Sequence, residues 1–223
     1  MHRLLARVRL QILGRGLPRL LRPRPPAPLV RLGSAYGGWW VPGDLLRPGT
    51  VAYCAGAGDD ITFDQALLEH GCEVVTFDPT PFAIEAVRNA NITDERFTFV
   101  EVGWWSETTR LKFYGLAEPG RHGSHSAVIA RGSGYFEADV KPVHVLQREL
   151  GHDRIDIIKM DIEGAEYEVI DSLLRHGPLP QVLCMEFDQP QPVRKMLATT
   201  RDLKRAGYTL ANVEFLNYTF IRP

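Results

Sequence analysis

The sequence predicts an α/β fold in which a central, mostly parallel sheet of seven strands has helices on both faces. From residue 49 onward, short apolar runs typical of buried strands alternate with longer amphipathic stretches of helical period. A glycine-rich turn follows the first apolar run, and an acidic residue follows the second. Alternation of this kind implies parallel pairing with right-handed crossover connections.

The same patterns place the individual elements along the chain. We expect strands at 51–54, 73–77, 97–102, 155–160, 181–187, 208–211 and 214–221, and helices at 61–70, 82–91, 165–174 and 193–206. The last two strands form an antiparallel pair, so the final strand is reversed. Between residues 104 and 143 the alternation stops, and strands at 111–114 and 137–143 flank a loop rich in Gly, Ser and His. Loops of this length inside a domain are usually functional or disordered.

Charge divides the chain into two parts. Residues 1–43 contain eight arginines and no Asp or Glu, so this segment carries +8 and the remainder about −9 of a net charge of −1. We therefore expect residues 1–45 to form a basic, proline-rich appendage and lead-in, and residues 46–223 to form the domain. The basic arm could make peripheral contact with an acidic membrane surface or a polyanion, or it could be a solvated, disordered extension.

Composition favours a protein of the cytoplasm, with at most peripheral membrane contact. No apolar run approaches the ~18–20 residues of a membrane-spanning helix, and arginines interrupt every candidate core of a secretory signal. Cys54, Cys72 and Cys184 lie in apolar segments without a CxxC pair, which favours buried, reduced thiols. Since no Cys/His set has metal-ligand spacing, we assign no metal ligands and expect no structural zinc site, while a Mg²⁺ held by carboxylates is left as an alternative.

The first candidate site combines the glycine-rich turn with the acid that follows the second strand. Gly56 and Gly58 would let a ligand approach the backbone near the free N–H groups of the next helix, although small residues at such a turn also occur for packing alone. Asp78 lies 20 residues beyond Gly58. A carboxylate at this place can accept hydrogen bonds from both hydroxyls of an adenosine ribose, or it can cap the following helix.

Acidic residues also follow the fourth and fifth strands of the expected sheet. Asp161 and Glu163 follow the fourth strand, and Glu186 ends the fifth. Because ligands of open α/β sheets bind at the carboxyl ends of the strands, we predict a direct role for at least one of these three acids. Glu166 is expected either on a helix surface or as compensation for the dipole at the helix N-terminus.

Four further residues have two interpretations each. His122 and His125, in the long loop, could line an acceptor pocket or be solvated. Trp104 and Trp105, after the third strand, could stack near an adenine or pack in the core.

Several segments resemble the FkbM family of methyltransferases. Residues 155–166 (IDIIKMDIEGAE) match the family signature iDllKiDvEGaE. Residues 55–63 (AGAGDDITF), 71–74 (GCEV) and 77–81 (FDPTP) resemble a branch of the family that carries the pattern GxGxDxxFD…GCxVxxFDPTP. The resemblance spans residues 50–190, and the first 45 residues lie outside it.

The resemblance implies a Rossmann-like class I methyltransferase that uses S-adenosyl-L-methionine (SAM) to methylate a hydroxyl of a sugar, glycan or natural product. The residues that it implies at the cofactor are Gly56, Gly58, Asp60, Asp78, Pro79, Glu101, Gly103 and Asp161. The two glycines would lie under the methionine and ribose portions, and Asp78 would hold the ribose hydroxyls. Glu101 to Gly103 would border the adenine, and Asp161 would lie near the transferred methyl. Tyr53 and Cys54 replace the acid that many methyltransferases have at the end of the first strand. Recognition of the SAM amino group would therefore shift to Asp59, Asp60 or Asp161.

Methyl transfer requires an enzyme to align the acceptor, exclude water and remove a proton. The candidate catalytic residues are Asp161, Glu163 and Glu186; Asp161 or Glu186, helped by His125, would serve as base or orient the hydroxyl. Alternatives are a catalytically silent SAM-binding protein and an NAD-dependent oxidoreductase, although Ile61 replaces the third glycine of a GxGxxG pattern. The expected partner is a small-molecule or glycan acceptor, because an acidic domain without a base-flipping motif argues against nucleic acid.

Overall fold

A computed structural model describes residues 23–115, 125–128, 134–187 and 193–223 of the chain. In chain order its strands are β1 (Leu29–Leu32), β2 (Trp39–Pro42), β3 (Val51–Ala55), β4 (Glu73–Phe77), β5 (Phe97–Val100), β6 (Gly103–Trp104), β7 (Thr109–Gly115), β8 (His125–Ser126), β9 (Tyr135–Lys141), β10 (Ile157–Met160), β11 (Val182–Glu186), β12 (Thr209–Glu214) and β13 (Asn217–Ile221). The α-helices are α1 (Thr62–Glu69), α2 (Pro81–Ala90), α3 (Val143–Leu150), α4 (Glu166–His176) and α5 (Val193–Arg205).

The main sheet has seven strands in the order β5-β4-β3-β10-β11-β13-β12. Neighbours from β5 to β11 pair in parallel, whereas β13 is antiparallel to both β11 and β12. The predicted mostly parallel sheet with a reversed last strand is therefore confirmed. Strand order reverses between β3 and β10, and such a switch point opens a crevice at the carboxyl ends of the strands.

Alternate residues of each central strand enter two different cores, because successive side chains of a strand point to opposite faces. Tyr53 and Ile158 belong to a core that also contains residues of α3, α4 and α5. Cys54 and Ile157 belong to a second core, which α1 and the β1–β2 hairpin cover. Helices on both faces, as predicted, thus explain why the central strands consist almost entirely of apolar residues.

The lead-in to the domain forms an antiparallel hairpin of β1 and β2 that the sequence did not indicate. Trp39 and Val41 of β2 are fully buried in the second core. The backbone carbonyl of Trp40 accepts a hydrogen bond from the Thr219 hydroxyl of β13 at 2.9 Å. Residues 29–42 therefore pack as part of the domain, on the side of the sheet formed by β11 and β13.

A second, four-stranded sheet occupies the region where the predicted alternation stops, with the order β6-β9-β7-β8. Boundaries in this region differ from those expected. The predicted strand at 97–102 ends at Val100 as β5, and the separate strand β6 begins at Gly103 and belongs to the other sheet. The predicted strand at 137–143 ends at Lys141, and the unpredicted α3 begins at Val143 because extended Pro142 precedes it and Val143 and Leu146 face the core.

Other predictions fall partly outside the described residues. The three cysteines are buried and form no disulfide, as expected. No helix within the described ranges is long and apolar enough to cross a membrane. Residues 1–22, which carry most of the basic arm, and His122 lie outside the part of the chain that the structure describes.

Candidate active site

A cavity of about 120 Å³ lies at the switch point, outside the carboxyl ends of β3, β4 and β10. Its floor is formed by residues 55–60 and 159–165, and its sides by residues 77–80 and by the small sheet. The turn between β1 and β2 forms the remaining wall with Tyr36 and Gly37. Open α/β sheets bind their ligands at this position, so the fold alone makes the cavity the candidate site.

The two glycines of the turn after β3 have different reasons to be glycine. Gly56 has a φ of +83°, and a Cβ there would lie 1.7 Å from the backbone oxygen of Asp161. The Asp161 N–H in turn donates to the Ala55 carbonyl at 3.1 Å. Gly56 therefore allows the ends of β3 and β10 to approach one another. Gly58 has a φ of +52° and open space beyond its Cα, so its surface is available to a ligand.

Asp78, buried at the end of β4, fastens the glycine turn. One carboxylate oxygen accepts hydrogen bonds from the N–H groups of Ala57 (2.9 Å) and Gly58 (3.2 Å). The other accepts the N–H of Thr80 at 2.8 Å. The helix-cap alternative for Asp78 is wrong, because Thr80 caps α2 by accepting the Ala83 N–H at 3.2 Å. Three of roughly four acceptor positions of the carboxylate are occupied by these N–H groups, which leaves one for a further donor.

The Asp60 carboxylate is hydrogen-bonded to neighbouring residues of the chain. Its carboxylate accepts hydrogen bonds from the Ser34 hydroxyl and from the hydroxyl and N–H of Thr62. Burial alone would raise the pKa of Asp60, but these hydrogen bonds outweigh burial and hold the pKa below its usual value. The carboxylate therefore stays charged and connects the β1–β2 turn to the start of α1.

The acidic segment after β10 is a turn that a buried glutamate organises. Glu166 is fully buried, and its two carboxylate oxygens accept the N–H groups of Ile162 (2.8 Å) and Gly164 (2.9 Å). The helix-surface alternative for Glu166 is therefore wrong, whereas its position in the first turn of α4 agrees with compensation of the helix dipole. Glu163 adopts a φ of +54°, and its carbonyl accepts the Ser126 hydroxyl at 2.7 Å, which joins this turn to the small sheet.

Lys159 is a site residue that the sequence analysis did not identify. Its ammonium, almost fully buried, donates to the carbonyls of Ala55 (3.3 Å) and Gly56 (2.5 Å). Burial lowers the pKa of Lys159, but the nearby carboxylates of Asp161 and Asp64 outweigh it, so the pKa lies above its usual value. A lysine within the apolar run IIKM was the available signal, because a buried lysine needs a partner.

The structure brings together most of the predicted site residues. The cavity is lined by Gly56, Gly58, Asp60, Asp78, Pro79, Gly103, Trp104, His125, Asp161 and Glu163. Glu101 instead forms an exposed ion pair with Arg88 at 2.8 Å, and Glu186 ends β11 opposite Asn217. Neither is among the described residues that line the cavity. Their predicted roles at the adenine and as a base stay predictions.

Two of the ambiguous residues can now be placed. Trp104 is buried beside Phe77, with ring centroids 5.2 Å apart, so it packs in the core and also forms part of the cavity wall. His125 contacts Phe136 edge-on, with centroids 5.1 Å apart, on the small-sheet side of the cavity. Within the described ranges, no group of three or more His, Cys, Asp or Glu side chains could hold a metal ion.

The strand order and the position of the cavity define the class of protein. A seven-stranded sheet with one reversed strand, and a glycine-lined cavity at its switch point, are those of a Rossmann-like class I methyltransferase. The chain belongs to the FkbM methyltransferase family, because the methyltransferase FkbM domain matches its residues 53–210.

Two curated relatives agree with this family. Methyltransferase-like protein 24 of Homo sapiens is 29% identical over 161 residues, which cover 71% of this chain and 38% of that protein. The Rattus norvegicus protein of the same name gives the same identity and coverage. The chain thus spans 38% of the length of the curated relatives that it matches.

Solved structures are similar at a more distant level. The Methanococcus jannaschii fibrillarin pre-rRNA processing protein has a TM-score of 0.47 and 10% identity, over 79% of this chain and 68% of that one. A candidate methyltransferase from Streptococcus mutans, in complex with SAH (S-adenosylhomocysteine), has a TM-score of 0.45 and 11% identity, over 79% and 92% of the two chains. Similarities at this level say nothing about the substrate of this chain.

Proposed function

We propose that this chain transfers a methyl group from SAM to a hydroxyl oxygen of a small molecule, with sugars, glycans and natural products as the acceptor classes. The observation that most supports this function is the switch-point cavity. There the uncovered backbone of Gly58, the ribose-type acid Asp78 and the acids after β10 face one space. Membership of a methyltransferase family supports the reaction class.

The residues on the floor and sides of the cavity fit a nucleoside cofactor. Asp78 retains one acceptor position toward the cavity, and the turn that it fastens keeps Gly58 open. Phe77 and Trp104 supply apolar wall area on the same side. Bound SAM would supply a methyl group that is electrophilic because it is attached to a sulfonium. The protein itself must then align the acceptor, exclude water and accept a proton.

We assign the proton-accepting role to Asp161. It lies on the cavity floor beside Gly56, and its carboxylate has no hydrogen-bond partner among the described residues. The acceptor hydroxyl would give its proton to Asp161 and its oxygen would take the methyl group, with the methyl–sulfur bond of SAM broken and SAH as the leaving group. Phe113 and His125, on the small sheet, would enclose the acceptor from the other side.

Isothermal titration with SAH, the demethylated cofactor, tests the cofactor assignment. We expect micromolar binding to the wild type and at least tenfold weaker binding to Asp78→Ala, since that change removes a ribose contact and the fastening of the glycine turn. Asp139→Ala, which removes an exposed carboxylate of the small sheet that pairs with Arg110, is the matched control and should bind like the wild type. Well-folded wild-type protein that binds no SAH would refute the proposed function.

Transfer of radiolabelled methyl groups from SAM to a panel of hydroxylated glycans and natural products tests the reaction itself. On the acceptor found, Asp161→Asn should reduce kcat by about 100-fold, in the range typical of a lost general base. Glu186→Gln, which changes an acid outside the cavity lining, should retain nearly full kcat. SAH binding without transfer to any acceptor would favour the catalytically silent alternative.

A further inference from the structure

The turn between β1 and β2, residues 33–38, lies against the cavity although it is distant from the glycine turn in sequence. Tyr36 and Gly37 of this turn line the cavity together with Gly58, Asp59 and Asp60. The turn itself precedes the region that matches the FkbM domain, because that region begins at residue 53. This wall of the site is therefore supplied by a part of the chain outside the family domain.

Hydrogen bonds hold this turn in one conformation. The Ser34 hydroxyl donates to the Asp60 carboxylate and accepts the N–H groups of Tyr36 (3.0 Å) and Gly37 (2.9 Å). The Ser34 N–H donates to the Thr62 hydroxyl at 2.8 Å. The depressed pKa of Asp60 agrees with a carboxylate that stays charged in this arrangement.

Close packing and an arginine hold the turn from its other side. A Cβ on Gly37 would lie 2.8 Å from the Asp60 carboxyl group, so the turn touches Asp60 directly. The Arg31 guanidinium donates to the carbonyls of Ser34 (2.6 Å) and Ala35 (3.3 Å) and pairs with Glu214 at 3.0 Å. The turn is thus a prebuilt part of the site.

The direction from which the turn reaches the cavity indicates which half of a bound cofactor it would meet. Its hairpin packs against β11 and β13, which lie beyond β10 in the sheet. Asp78, which would hold the ribose, and Gly103 lie on the opposite side of the cavity. Asp78 follows β4, and Gly103 follows β5. If the ribose binds at Asp78 and the adenine lies near Gly103, the adenosine occupies the side of the cavity away from the turn. The amino-acid half of the cofactor would then extend toward the turn.

Of the two turn residues that line the cavity, only Tyr36 has a side chain, because the other is Gly37. It lines the cavity, yet 78% of its surface is exposed. An aromatic ring held by a fixed backbone gains apolar burial on ligand binding and loses little conformational freedom. We propose that the β1–β2 turn is a cofactor clamp, in which the Tyr36 ring covers the amino-acid half of SAM and the Ser34–Asp60 contact fixes the ring in place. This role rests on the proposed function.

Two ligands that differ in that half provide the test. SAH contains the amino-acid half, whereas 5′-methylthioadenosine retains the adenosine and the sulfur but lacks it. By isothermal titration, Tyr36→Ala should weaken SAH binding at least tenfold and methylthioadenosine binding less than twofold. Tyr36→Phe, which keeps the ring, should bind SAH within threefold of the wild type.

Controls distinguish the loss of the Tyr36 contact from a general failure to bind the cofactor and from misfolding of the variant. Tyr135→Ala removes an aromatic side chain that is 56% exposed and is not among the residues lining the cavity, so it should bind both ligands normally. Tyr36→Ala should melt at the wild-type temperature. Equal weakening of both ligands, or of neither, overturns the clamp while the proposed function stands. A wild type that binds neither ligand removes both.

Discussion

Three carboxylates of the site bind backbone N–H groups, and these contacts shape the cavity. Asp78 accepts three N–H groups at the glycine turn and the start of α2, and Glu166 accepts two at the turn after β10. Asp60 accepts one N–H and two hydroxyls between the β1–β2 turn and α1. Hydrogen bonds to ionised acceptors are stronger than neutral ones, so each carboxylate fixes a loop that would otherwise be free to move.

The lowered pKa of Asp60 makes a prediction about stability and pH. A carboxyl whose pKa is lower in the folded than in the unfolded state stabilises the fold above its unfolded pKa, and this contribution is lost as the pH falls through the folded pKa. We therefore expect Asp60→Asn to lower the free energy of unfolding by about 1 kcal/mol at pH 7, the typical value of one hydrogen-bonded contact.

Urea titrations of Asp60→Asn and the wild type at several pH values measure this effect. The difference in free energy should shrink below about pH 4, near the usual pKa of an aspartate. There the carboxyl of the unfolded wild type takes up a proton, whereas the folded carboxylate does so only at a lower pH. Asp139→Asn, on an exposed aspartate of the small sheet, is the control and should show a smaller difference at pH 7. A difference that is constant from pH 7 to pH 3 would contradict the assigned hydrogen bonds.

At the scale of elements, three separate parts of the chain enclose one cavity. The main sheet supplies the floor, the small sheet supplies Phe113 and His125, and the β1–β2 hairpin supplies Tyr36 and Gly37. The hairpin is anchored by Trp39, which is buried in the core beneath α1. Its position at the cavity therefore depends on the packing of a side chain that is not among the described residues lining the cavity.

We expect Trp39→Ala to destabilise the protein by about 3–5 kcal/mol, the range for removing a buried aromatic side chain. Urea denaturation measures the change. Tyr36→Ala in the same hairpin is the matched control and should change the free energy of unfolding by less than about 0.5 kcal/mol, as surface substitutions do. A loss below 1 kcal/mol for Trp39→Ala would mean that the hairpin is not part of the folded core.

At the scale of the whole molecule, the chemical reactivity of the three buried thiols provides a measure of unfolding. Cys54, Cys72 and Cys184 are almost completely buried, and burial raises the pKa of the Cys184 thiol to about 12. Because the thiolate is the reactive species, the folded protein should react with a thiol reagent only after it opens.

Under the proposed function, SAH should slow this thiol reaction. At ~100 times its Kd, a ligand that binds only the folded state lowers the unfolded population by roughly 100-fold. The reaction rate of the thiols, followed by absorbance with a chromogenic disulfide, should fall by the same factor when opening is in rapid equilibrium. NAD⁺ at the same concentration should leave the rate unchanged. Equal protection by both ligands would argue against a SAM-specific site.

The sequence by itself determined the strands and helices of the main sheet, because local patterns show where each of them lies along the chain. The apolar run at 155–160 indicates a buried strand, and the amphipathic period at 165–174 indicates a helix. Both patterns can be read from a single sequence. The FkbM segments placed Gly58, Asp78 and Asp161 at the carboxyl ends of strands, and the structure brings all three to one cavity. These residues were predictable because strand order and residue spacing fix their position.

Only the tertiary structure decided which polar groups are partners and which distant segment closes the site. Glu166 has the spacing of a surface helix residue, yet it is buried because two N–H groups of the preceding turn need acceptors. Lys159 is buried with its charge because two backbone carbonyls accept its hydrogen bonds and three carboxylates lie nearby. Tyr36 lines the cavity because Trp39 anchors its hairpin in the core beneath α1. Such contacts join residues remote in sequence, so no local period encodes them.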